Sequence, residues 1–259
     1  MTLDAGGQVL LFGLALLANT LSALAGGGAG LLQLPVLLFL GLAFPTALAT
    51  HKIASVALGV GATLRHLRGD GINWRFAVFI LAAGLPGVFV GTQVILLLPD
   101  ALARGALGVL TLGLGLYSWR RPALGVSTEK THRDRKGLLI GALGLFAIGV
   151  LNGSLTSGTG LFVTLWLVRW FGLSYTRAVT YTLILVGLFW NGTGALALAQ
   201  QAPVQWNWLP ALLLGSLLGG YLGAHMALRH GSVVVKRAFE VLTVAVGSKL
   251  LWDALQAAL

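Results

Sequence analysis

Runs of about 15 to 25 residues that are apolar on every face recur along this chain, and they limit its architecture before any motif is read. A transmembrane β-barrel needs short segments alternating apolar and polar, which this pattern excludes. A water-soluble domain needs a charged coat. Only 9% of the 259 residues are charged, seven of them acids, where ordinary globular proteins carry roughly 25%. With 57% hydrophobic residues and a mean hydropathy of +0.89, the solvent must be mostly lipid. The expected fold class is an all-α polytopic membrane protein. Met1 to Gly7 lack Lys and Arg, so the first apolar run lacks the basic flank of a cleaved signal peptide and is read as a mature segment.

Crossing a hydrocarbon core of roughly 30 Å takes about 20 helical residues, and by that measure the segments differ in kind. Apolar spans lie at 8–24, 31–41, 46–64, 76–98, 101–119, 137–155, 161–172, 178–199, 207–228 and 234–255. The second and seventh are too short to cross unaided. Each follows a Gly-rich break, Gly26-Gly27-Gly28-Ala29-Gly30 or Ser157-Gly158-Thr159-Gly160, where each Gly disfavours helix by about 1 kcal/mol. Segments 1–2 and 6–7 are therefore expected to be broken or re-entrant helices. The two halves repeat at a spacing of about 131 residues. Gly28 and Gly30 answer Gly158 and Gly160, Gly41 answers Gly172, Trp74 answers Trp206, and Gly84, Gly87 and Gly91 answer Gly215, Gly219 and Gly223.

Three units follow: a first membrane repeat at 1–119, a basic linker at 120–136, and a second membrane repeat at 137–259. The 17 Lys and Arg fall in short clusters between apolar runs, which is a membrane-topology pattern and not a nucleic-acid footprint. The linker holds Arg120, Arg121, Lys130, Arg133, Arg135 and Lys136; other clusters are Arg65, Arg68 and Arg75, then Arg169 and Arg177, then Arg229, Lys236 and Arg237. Loops 42–46 and 200–206 carry no charge. This asymmetry places the linker in the cytoplasm and both termini outside. Five segments per half, an odd number, make the two repeats inverted.

In an inverted repeat the two Gly-rich tips enter from opposite sides and meet near the midplane, a recurring geometry for transporter sites. Each short helix would begin with unpaired N–H groups and about half a positive charge, which favours an anion. The alternative is that these glycines only permit close helix packing. Lys52 lies about seven residues into the third segment, where a charge at helix centre would cost on the order of 3 kcal/mol. It faces the cavity as a counter-ion, with Thr50 and His51 beside it, or it snorkels to the interface. Glu240, four residues after Lys236, reads as half of a local ion pair, and His225 as structural.

The run from Ala25 to Pro35 through the Gly-rich break, followed by Ala47-Leu48-Ala49-Thr50-His51-Lys52, resembles the TauE/SafE family of membrane permeases, also called the sulfite exporter family. Gly41-Leu42, the Trp74 loop and Gly84 to Gly91 extend the likeness, and the second half echoes it. The resemblance implies a bacterial cytoplasmic-membrane transporter of small anions, commonly sulfite or organosulfonates. Thr50 and Lys52 match a Thr-Asn-Lys form of the family motif, with His51 replacing Asn. Some relatives carry an acid ahead of each tip, where Ala23 and Asn152 stand here, and a second basic residue where Leu183 stands.

The expected substrate-binding residues are Gly26, Gly27, Gly28, Gly30, Gln33, Thr50, His51, Lys52, Asn152, Ser157, Gly158, Thr159, Gly160, Tyr181 and Asn191. Alternating access is expected, with an anion channel or a non-transporting scaffold as alternatives. No paired carboxylates, zinc-ligand spacing or nucleophile elbow occurs, and there is no cysteine, so no enzyme activity, cofactor or metal site is expected. The expected partners are a small anion and the lipid bilayer. Small-residue faces allow a homodimer without demanding one.

Overall fold

The computed structural model describes residues 3–26, 30, 32–66, 72–94, 100–125, 129, 131–155 and 158–256, and its elements are helical. They are α1 (Ala5–Ala25), α2 (Gln33–Phe39), α3 (Phe44–His66), α4 (Trp74–Val94), α5 (Asp100–Trp119), α6 (Arg135–Ser154), α7 (Thr159–Arg169) and α8 (Tyr175–Ala199). A 3-10 turn, Trp206–Trp208, leads into the helical stretch Leu209–Gln256. That stretch breaks at Gly231, whose φ of 75° and ψ of −176° no helix contains, giving α9 (209–230) and α10 (232–256). Six helices are long and apolar enough to cross a membrane among the described residues, the 206–256 stretch counted as one. Among the described residues every element is helical, and the chain is a polytopic membrane protein.

The two short segments are short helices. With 7 and 11 residues, α2 and α7 extend about 10 and 16 Å, roughly a third and a half of a bilayer core. The ends of longer helices are set by ordinary capping. The Asp4 carboxylate accepts from the Gly7 N–H at 2.8 Å ahead of α1, and the Ser174 hydroxyl accepts from the Arg177 N–H ahead of α8. Within α8, residues Thr182–Trp190 form a π-helix that ends at Asn191.

Polarity is inverted relative to a soluble protein. Val9, Leu143, Leu196 and Val241 are exposed, while Asn19, Thr50, His51 and Lys52 are completely buried. Trp74, Trp119, Trp206 and Trp252 are all exposed near helix ends, where an indole is half in lipid and half in water.

Inside lipid, helices gain little from the hydrophobic effect on meeting one another, so close backbone approach matters more. Gly215, Gly219 and Gly223 of α9 abut the carbonyls of Phe12, Leu16 and Thr20 on α1. Gly87 and Gly91 of α4 meet the carbonyls of Phe146 and Val150 on α6, and in return Gly149 and Gly153 meet those of Gly84 and Val88. A methyl group at Gly153 would lie 2.1 Å from the Val88 carbonyl oxygen, so larger residues would separate the pair. Gly59 of α3 crosses Gly187 of α8, and Gly247 of α10 packs on Leu112 of α5.

Hydrogen bonds between helix ends define two poles. At one, Gln8 donates to the Asn207 carbonyl and the Gln205 N–H donates to Thr50 at 2.9 Å, so α1, α3 and α9 start where α8 ends. At the other, Arg65 donates to His225 at 2.9 Å, the Asn73 N–H donates to Tyr181 at 2.8 Å, and Thr176 bonds Ser232. The linker closes this second pole. The Glu129 N–H donates to the Gly172 carbonyl, the His132 ring stacks on Trp170, and Arg133 lies 3.9 Å from the Phe76 ring centre. Burial there pulls the Arg133 pKa down from the usual guanidinium range. Lys236 pairs with Glu240 as its spacing implies and also donates to the Ser118 carbonyl at 2.8 Å; Ser118 in turn bonds Tyr175. His225 is thus a structural acceptor for Arg65.

Candidate functional site

Lys52 occupies the third turn of α3 on a face turned to the second half of the chain. Its Nζ donates to the Asn152 backbone carbonyl at 2.9 Å, to Asn152 Oδ1 at 2.9 Å and to Asn191 Oδ1 at 3.1 Å. All three ammonium protons therefore have acceptors, and every acceptor is electrically neutral. Its side chain is fully buried, so it does not snorkel. Gly194, one turn beyond Asn191, leaves room for the stem, since a methyl there would sit 3.1 Å from Lys52 Cε. No acid pairs with Lys52 among the described residues.

Asn152 sits in the last turn of α6, where carbonyls lack helical partners and the dipole is negative, so the ammonium also caps that helix. The Asn152 Nδ2 donates to Thr159 Oγ1 at 2.8 Å, which ties Lys52 to the first residue of α7. Gly158 precedes that residue at φ 77° and provides no side-chain cap. Gly160 follows, buried, in the first turn. The positive end of the α7 dipole thus begins one side chain away from a buried ammonium.

The first tip reaches the same short helix. Gly26 ends α1 at φ 72°, and its carbonyl accepts from Thr164 Oγ1 at 2.9 Å. Thr164 lies five residues after Thr159, about 7.5 Å along α7, and its oxygen, its one proton given to Gly26, is left to accept from the Thr182 hydroxyl of α8 at 3.0 Å. A methyl at Gly26 would lie 2.4 Å from Val179, so this position is tightly packed. Gly30 is buried. Gly27, Gly28 and Ser157 lie outside the described residues.

Other expected residues stand apart. Gln33 Oε1 accepts from Asn19 at 3.4 Å, and its amide donates to Ser216, in a separate cluster between α1, α2 and α9. Thr50 accepts from the 200–206 loop, and the Tyr181 phenol serves the opposite pole. His51 is wholly buried, with neither ring nitrogen hydrogen-bonded among the described residues. The structure thus joins Lys52, Asn152, Thr159 and Asn191, with Gly158 and Gly160 beside them. Sequence reasoning missed Thr164 and Thr182, whose hydroxyls look like ordinary helix-bonding groups, and Ser216, which lies within a glycine stripe. No grouping of His, Asp or Glu suited to a metal ion occurs among the described residues.

Comparison with known proteins covers nearly the whole chain. The family described as Sulfite exporter TauE/SafE matches residues 11–250. A probable membrane transporter protein of Haemophilus influenzae is 29% identical over 245 residues, covering 94% of each chain. The probable membrane transporter protein YfcA of Escherichia coli K12 is 26% identical, covering 94% of this chain and 89% of its own. The probable membrane transporter protein YunE of Bacillus subtilis is 22% identical, covering 95% and 97%. No solved structure matches the chain significantly.

Proposed function

The chain belongs to the sulfite exporter TauE/SafE family of membrane transporters, and from that premise we propose that it carries a small oxyanion, sulfite or an organosulfonate, by alternating access. One observation carries this reading: the Lys52 ammonium is fully buried and held only by neutral oxygens. An uncompensated charge in a low-dielectric interior costs several kcal/mol even after relaxation, and three dipoles offset only part of that. An anion beside Lys52 makes the site neutral. The start of α7 adds about half a positive charge and backbone donors with no side chain on Gly158 or Gly160 to block approach.

To receive the anion, the ammonium exchanges one acceptor. Asn191 Oδ1 makes the longest of the three bonds and stands at the end of the π-helix, a segment whose irregular register concentrates at working sites. Asn152 stays in place, linking Lys52 to Thr159, so the ammonium and the α7 start act on one ligand.

Alternating access also needs two comparable halves, and the reading takes them as inverted repeats. Its support is the pattern of partners: α1 packs on α9 as α6 packs on α4, α3 crosses α8, and α5 lies on α10. Each of these joins one half to the other. Helices also run in opposite senses between poles, α3 away from the 200–206 loop and α8 toward it. The basic pole is taken as cytoplasmic, in a bacterial cytoplasmic membrane with both termini outside.

The test is counterflow in proteoliposomes loaded with sulfite, sulfoacetate, taurine, sulfate or acetate. Saturable, mutually competing exchange of the sulfur oxyanions is expected. Flux without competition identifies a channel, and no exchange of any anion removes the transport reading.

A further inference from the structure

A second polar cluster lies where α1, α2 and α9 meet, separate from Lys52. Asn19 is wholly buried, and its Nδ2 donates to the Ala15 carbonyl at 2.6 Å and to Ser216 Oγ at 3.1 Å, with Gln33 Oε1 at 3.4 Å. Gln33 donates to the same Ser216 hydroxyl at 3.3 Å. These contacts orient the Asn19 amide so that its oxygen is the remaining group. Asn19 Oδ1 has no hydrogen-bond partner among the described residues, and neither has the Ser22 hydroxyl, one turn on along the same face of α1. Both residues are 0% exposed. Two such orphans in lipid-embedded protein are costly unless something else binds them.

The polarity of the cluster selects the occupant. An amide oxygen only accepts, so its partner must be a proton donor or a cation. Asn19 and Ser22 lie in the last two turns of α1, at the negative end of its dipole, which favours positive charge. In the other half, the last turn of α6 receives a cation from the protein itself, the Lys52 ammonium. At the repeat spacing of about 131 residues, the counterpart of Lys52 is Leu183, buried and apolar, so α8 offers α1 no such charge. The two unpartnered oxygens, of Asn19 and Ser22, belong to neutral groups, suited to a single charge and lacking the carboxylates that Ca²⁺ favours.

We propose that this cluster binds a monovalent metal cation, of which sodium is the first candidate, held by Asn19 Oδ1 and Ser22 Oγ, while Gln33 and Ser216 fix the Asn19 amide so that its oxygen faces the cation. The cation supplies to the first half the charge that Lys52 supplies to the second. Resting on the transport reading, its role is to travel with the anion, so that the pair crosses with less net charge.

The experiment measures thermal unfolding of the purified full chain at fixed chloride concentration and ionic strength, with sodium replacing N-methylglucamine, and with potassium and lithium as parallel arms. Ser22→Ala removes one oxygen and little volume; Asn19→Ala removes the amide. Sodium should raise the melting temperature saturably in the wild type. Half-saturation should move about tenfold higher in Ser22→Ala, whose melting in N-methylglucamine stays near wild type. If melting is the same in every salt, the cluster holds water and the proposal fails. Equal sodium titrations for wild type and both variants overturn it as well. No anion substrate enters this measurement, so a sodium response without anion counterflow removes only the anion reading. Counterflow without a sodium response removes only the cation.

Discussion

At the scale of single residues, the site depends on how one ammonium is compensated. Lys52 was visible in the sequence because a charge inside an apolar run needs a reason. Its partners were less visible: Asn152 and Asn191 stand 100 and 139 residues away, and nothing local marks their convergence. Replacing Asn191 with Leu takes one acceptor from a buried ammonium, which should destabilise the protein by about 1–3 kcal/mol. Asn191→Asp instead offers a carboxylate at the same reach. We expect Asn191→Leu to melt several degrees below wild type and Asn191→Asp to recover most of that loss while no longer binding an anion, its positive charge now neutralised. Equal melting and equal anion binding for all three proteins would separate Asn191 from the site.

At the scale of elements, the glycine breaks and the short spans after them gave away α2 and α7, since seven to eleven residues cannot cross a bilayer. The π-helix in α8 was not legible. Its sequence, Thr182 to Trp190, is an ordinary apolar run, and the change of register lies where α8 meets Gly59 of α3 and Thr164 of α7. The break at Gly231 was legible only as a gap between two apolar spans. Helix direction leads to a prediction that the cysteine-free sequence makes clean to test. A cysteine at Gln201 should react with a membrane-impermeant maleimide from outside, and one at Arg121 only from the cytoplasmic face. Labelling of both from one face would overturn the assigned directions.

At the scale of the whole molecule, its two halves hold each other. Glycine stripes join α1 to α9 and α4 to α6, and the cation of one half caps a helix of the other. Gly84, Gly87, Gly91, Gly215, Gly219 and Gly223 stand out in the sequence as stripes, whereas their contact partners depend on three-dimensional packing that no local pattern encodes. The account's central claim is that the buried ammonium of Lys52 holds the transported anion. The most direct measurement is calorimetric titration of sulfite and sulfoacetate into wild type and Lys52→Met, with folding of each checked by melting. We predict saturable binding to the wild type and a loss of about 30-fold or more in the folded variant, as expected when a desolvated charge pair is truncated. Unchanged affinity in folded Lys52→Met would contradict the claim.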